Sequence, residues 1–222
     1  MEDLLRFRVR KWASRKLLEQ LHLRVTQPRP LLKDPVAAMA SDWLARHFDM
    51  QVVVILRHPA AVVASLLRLG WVVSPDTWTT QPQLLDDWLS DYADALTQPD
   101  LPLLHRQAYS WLAVYTVLHG FIQHHPDWIV VRHEDLAHAP LTAFEDLYTR
   151  LDIPFTSAIA SQIKKHTDTE NPAAAPGNAA TALKRDSRAL VDAWRDKFSA
   201  DDLHTIHTIT APIADLYYPT DW

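Results

Sequence analysis

Arg57 and Ser65, eight positions apart, are of the types and spacing that hold a phosphate. Arg57 follows five consecutive apolar residues, Val52 to Leu56, which read as a short strand buried on both faces, as in a parallel sheet. Pro59 comes two residues later, and Pro is favoured at the first position of a helix. Ala60 to Leu69 has helical composition, with Val62, Val63, Leu66 and Leu67 available for the sheet-facing side. The strand thus delivers a guanidinium to a tight turn, and the helix points its N-terminus back at it. Free N–H groups, the positive end of the helix dipole, the Arg57 guanidinium and the Ser65 hydroxyl converge on one spot that suits a phosphate. Without further context the pair reads equally as an arginine capping a neighbouring helix and a surface serine.

The stretch RHPAAVVASL, from Arg57 to Leu66, resembles the motif with which sulfotransferases grip the 3′-phosphate of the sulfonate donor 3′-phosphoadenylyl sulfate (PAPS). Three other stretches resemble the same family, in the family's order: LLKDP at Leu31 to Pro35, VVRHEDL at Val130 to Leu136 and LKRDSR at Leu183 to Arg188. The resemblance is to the bacterial type and covers nearly all of the chain. It implies a P-loop-NTPase-like three-layer α/β fold, PAPS or adenosine 3′,5′-bisphosphate as co-substrate, and no metal. By the resemblance, Arg57 and Ser65 bind the nucleotide. Lys184, Arg185 and Ser187, with Arg188 behind them, belong to a basic segment that closes over it, Arg185 foremost. Lys33 would neutralise the leaving phosphate and Asp34 would take the acceptor's proton as general base. Asp34 reads equally as a turn residue before Pro35. His133 departs from the family, which usually has Tyr there. Glu134 and Asp135 read as structural carboxylates that cap a helix or pair with an arginine.

The elements that must position these groups follow from hydrophobic period and breakers. Leu4 to Leu23 reads as a helix, Pro30 to Lys33 as a short strand, and Val36 to Phe48 as a helix. Val72 to Gln83 is a loop, and the region to Pro102 is a candidate for part of the acceptor pocket. Leu84 to Leu96 and His105 to His125 are helices, Trp128 to Arg132 is a buried strand, and Leu141 to Leu151 and Thr156 to His166 are helices. Asn171 to Ala182 is a loop, Asp186 or Ser187 caps the helix from Arg188 to Phe198, Ser199 to Asp202 opens the next helix, and Pro212 interrupts the last helix. Strands alternating with helices predict a short parallel sheet.

Composition excludes several classes. The chain has 222 residues, 48% hydrophobic and 22% charged, as expected for a single globular domain over 1–222. A net charge of −5 argues against an indiscriminate nucleic-acid binder. With no cysteine there is no disulfide or thiolate chemistry, and the 12 histidines form no tight metal-ligand pattern. No apolar run spans a bilayer and no signal peptide precedes the fold, so the expected location is cytoplasmic. The three glycines are scattered, whereas a phosphate-cradling loop needs them clustered. The family carries such a loop on its first strand, for the 5′-phosphosulfate. Its absence leads to the expectation of an incomplete sheet, an N-terminally truncated domain and impaired transfer. The acceptor class expected is a carbohydrate or small molecule with a hydroxyl or amine. A non-catalytic nucleotide-binding remnant and a P-loop kinase relative or interaction module remain the alternatives.

Overall fold

The computed structural model describes residues 29–33, 37–168, 170–171 and 186–222. The chain divides into two units, Met1–Val36 and Ala37–Trp222. The helix expected over Leu4 to Leu23, Asp34, Lys184, Arg185 and almost all of the loop expected from Asn171 lie outside the described residues.

In the first unit, Pro30 to Lys33 forms no strand. Leu31 and Leu32 are 89% and 63% exposed, so this apolar pair has no buried face to hold it extended against a sheet. The placement of Lys33 at a strand end is thereby corrected; its side chain is exposed in irregular backbone.

The second unit is α/β and mostly helical. A 3₁₀ turn, Ala37–Ala40, leads into α1, Ser41–His47. Strand β1, Val53–Leu56, runs directly into α2, Pro59–Leu69, which ends on Gly70 in the left-handed conformation at φ 66°. Then come α3, Asp76–Thr79, α4, Pro82–Trp88, and α5, Ala93–Thr97. The long α6, Leu103–His124, precedes β2, Ile129–Arg132. After it follow α7, His133–His138, α8, Pro140–Arg150, and α9, Ser157–Thr167. The chain closes with α10, Ser187–Val191, and α11, Ala200–Tyr217. Among the described residues the sheet is β1 beside β2, parallel, in the register Val53↔Ile129 to Leu56↔Arg132.

One face of β1 carries Val54 and Leu56 into a core with Ala113, Val117, Leu118 and Phe121 of α6 and Trp128 before β2. The expectation of burial on both faces is not met: Ile55, pointing the other way, is 54% exposed. An all-apolar run therefore signals capacity for two covered faces, not their presence. The opposite side of the β1–α2 corner is closed by Ala60, Ala61 and Val63 of α2 packed with Trp194 and Ile206.

Several elements differ from expectation: the helix expected from Arg188 to Phe198 stops at Val191 and a 3₁₀ turn, Arg195–Lys197, follows, and the loop expected over Val72 to Gln83 contains the short helix α3. The segment expected as one helix over Leu84 to Leu96 breaks at Leu89, whose φ of −128° is not helical. The break lets Leu89 bury completely while the Trp88 ring lies edge-on to Phe121, over Gly120, where a side chain would collide with the indole. In α11, Pro212 sits inside the helix without ending it. Removing one backbone bond costs about 3 kcal/mol, and the burial of Ile213 and Ala214 against Trp111 and Leu112 offsets it. Caps behave as the sequence predicts: Asp186 accepts from the amides of Arg188 and Ala189, and Ser199 forms a capping box with Asp202.

Candidate anion-binding site at the end of the first strand

The turn between β1 and α2 is held by its main chain, which leaves the side chain of Arg57 free. The Arg57 amide donates to the Tyr115 hydroxyl oxygen at 3.0 Å, and the Trp111 indole N–H donates to the Arg57 carbonyl at 3.1 Å. Tyr115 and Trp111 stack on each other at 4.0 Å, so α6 offers both contacts as one rigid pair. The next amide, of His58, donates to Glu134 Oε1 at 2.9 Å, and the Tyr218 hydroxyl donates to Glu134 Oε2 at 3.0 Å. Glu134 is thus the buried bracket that joins β1, α7 and the end of α11. It is a structural carboxylate, as the sequence indicates.

The guanidinium is the exception. Arg57 is half-buried, and its Nε is buried without a hydrogen-bond partner. Burial pulls its pKa below the usual arginine value, and nearby Glu134 pulls it back up. Glu134 and Arg57 attract each other, yet both Glu134 oxygens are engaged elsewhere. A buried donor left unpaired costs about 1–3 kcal/mol, and native proteins seldom tolerate one without a reason. An anion seated on the guanidinium would relieve it.

The first turn of α2 adds to the same field. It carries Pro59 at its start and has no side-chain cap, so its first amides keep their donors. Ser65 lies further along α2, partly exposed, and makes no hydrogen bond among the described residues. The residue that sequence reasoning underrated is His133. It starts α7 beside Arg57, and its Nδ1 is buried without a partner. The period and motif pattern marked it only as a departure.

Other expected residues serve differently. The Ser187 hydroxyl donates to the Ala137 carbonyl at 3.0 Å and ties α10 to α7, so its proton is committed to the main chain. Arg188 Nε donates to the His138 carbonyl at 3.0 Å. A cleft of about 420 Å³ lies between the start of α8 and the end of α9, with Lys164, Asp168 and Arg188 on its walls. It shares no residue with the Arg57 cluster. The orphaned guanidinium outweighs this hollow as the mark of a binding site, because the hollow's cations are exposed.

The chain is similar to two curated proteins named carbohydrate sulfotransferase 3. It is 23% identical to the one from Rattus norvegicus over 194 residues, 85% of this chain and 35% of the relative. It is 27% identical to the one from Mus musculus over 144 residues, 63% of this chain and 26% of the relative. The chain therefore spans about a third of the length of the rat protein and about a quarter of the mouse one. No protein-family model and no solved structure matches it. The likeness is distant and points to a sulfotransferase family. It also overturns the cytoplasmic location. No helix among the described residues is long and apolar enough to cross a membrane. The relatives, however, are mammalian carbohydrate sulfotransferases of which this chain matches a minor part, so that observation fixes no compartment.

Proposed function

We propose that this chain is part of a sulfotransferase that takes its sulfonate group from PAPS and delivers it to a hydroxyl or amine of a carbohydrate. Arg57 and Ser65 hold the 3′-phosphate. The observation that supports this most is the half-buried Arg57 guanidinium with an unpaired Nε at a strand-to-helix turn. The likeness to carbohydrate sulfotransferases supports the donor and the acceptor class. When bound, PAPS supplies the activated sulfonate. The chain's own residues bind and orient the nucleotide: Arg57 gives a forked pair of donors, α2 gives first-turn amides, and Ser65 gives a hydroxyl. Lys33 and Asp34 remain the proposed leaving-group cation and general base, and Lys184 and Arg185 the proposed closing segment, on sequence grounds.

Calorimetry with adenosine 3′,5′-bisphosphate tests the reading. Binding that ignores ATP and magnesium supports it, and binding that requires ATP and magnesium replaces it with a kinase-like function. A chain that binds neither is an interaction module. Ser65→Ala is expected to weaken the bisphosphate by a few-fold, since one neutral hydrogen bond contributes about 1 kcal/mol.

A further inference from the structure

Strands β1 and β2 run parallel, and their last paired residues are Leu56 and Arg132. One position further on, Arg57 and His133 leave adjacent strand ends, near enough for the Arg57 charge to act on the His133 ring. Each carries a buried nitrogen without a partner, Arg57 Nε and His133 Nδ1. Buried polar groups are paired in the great majority of cases. Other buried nitrogens lack partners too, among them both of the His58 ring, which is closed in by Trp194, Tyr218 and Trp222; the two at Arg57 and His133 stand at neighbouring positions of one sheet end and share a single explanation.

We infer that His133 is a second ligand of the anion held by Arg57, and that the pair makes the site's affinity for a phosphate dianion rise as the pH falls. This rests on the phosphate reading of Arg57 and adds a regulator to the same site.

The charges around His133 support the sign. Burial lowers the pKa of its ring below the usual histidine value, Arg57 at the end of β1 lowers it further, and Glu134 on its own helix raises it. Behind Arg57 stand Arg68 of α2, a like charge, and Tyr115 of α6, pushed up to about 12 by burial. Behind Glu134 stands Tyr218, whose phenol burial also pushes up. Both phenols stay neutral across the working range, so the balance at His133 lies between Arg57 and Glu134. In the free site the ring is neutral at neutral pH, with one nitrogen a donor and the other an acceptor. A dianion between the two side chains cancels the repulsion from Arg57 and favours the imidazolium, in which both nitrogens donate. Proton binding and anion binding then assist each other, by the same factor in both directions.

The test measures adenosine 3′,5′-bisphosphate affinity of the full chain and of His133→Gln at pH 8 and pH 6. The ligand's own titration is common to both proteins and cancels in the comparison. The wild-type gain on acidification is expected to exceed that of His133→Gln on the order of tenfold, as one added charge-assisted hydrogen bond supplies. Should His133→Gln not fold, calorimetry of the wild type at pH 7 in buffers of different ionisation enthalpy decides. Net proton uptake on binding supports the inference, and proton release or no exchange overturns it. Parallel pH profiles in the two proteins also overturn it. In that case the phosphate reading survives as long as Arg57→Ala still weakens binding. If the wild type binds no bisphosphate at either pH, the phosphate reading fails and takes this inference with it.

Discussion

Two arginines stand at the ends of the two paired strands, and the structure treats them in opposite ways. Arg132, the last residue of β2, is saturated. Its guanidinium donates to both oxygens of Asp135, at 3.1 and 3.2 Å, to Asp221 at 2.7 Å and to the Tyr217 carbonyl at 3.1 Å. It also lies 5.2 Å from the centre of the Tyr218 ring. Burial lowers its pKa, but Asp135 and Asp221 outweigh that and raise it. Arg57, one residue past the end of β1, has no such set; burial dominates and its pKa falls. The same residue type at nearly the same register is a clamp on the C-terminal tail in one place and an unfilled cation in the other. What separates them is where the carboxylates are used. Asp135 and Asp221 face Arg132, while Glu134, next in sequence to Asp135, turns inward to His58 and Tyr218.

If that division is right, removing the inward carboxylate should do the most damage. Glu134→Ala leaves the His58 amide and the Tyr218 hydroxyl without their acceptor, and a loss of about 4 kcal/mol of stability is expected, read from denaturant midpoints. Acid should act next, through His58. Its ring is 1% exposed, stacked on Trp194 at 4.5 Å, and burial holds its pKa down at about 4. The unfolded chain takes a proton near the ordinary histidine value of about 6.5, so the contribution is whole above that pH and is lost as the pH falls through about 4. About 3 kcal/mol should disappear over that interval. His58→Phe, which keeps the stacking, should flatten the upper part of the profile, and an unchanged slope there would refute the assignment.

The arginines themselves give the sharper contrast. Arg57→Ala should weaken adenosine 3′,5′-bisphosphate by roughly thirtyfold, about 2 kcal/mol, with little change in thermal midpoint. Arg132→Ala should do the reverse: about 1 kcal/mol of stability lost, because its partners are partly solvated, and nucleotide affinity nearly intact. Equal effects of the two substitutions on binding would erase the distinction between a free and a saturated arginine.

Local pattern made much of this legible. The apolar run at Val52, the proline after it and the long period from His105 predicted β1, α2 and α6 close to their observed limits. The same was true of the Asp186 and Ser199 caps, which act within one turn of chain. The failures share a cause. Whether β1 has one covered face or two, whether a helix breaks at Leu89 and whether Pro212 ends one are all set by neighbours distant in sequence. His133 was visible only as an odd residue in a motif, since nothing local says that its nitrogen lacks a partner.

The sequence by itself determined which residue types meet where β1 turns into α2: hydrophobic period and proline stereochemistry act over a few residues and put an arginine at a helix start. Tertiary structure alone decided that this arginine is free. Freedom of a charge depends on what every other carboxylate is doing, and here Glu134 is drawn away by a tyrosine 84 residues further along the chain. A one-dimensional pattern lists the donors and acceptors, and only the folded arrangement pairs them.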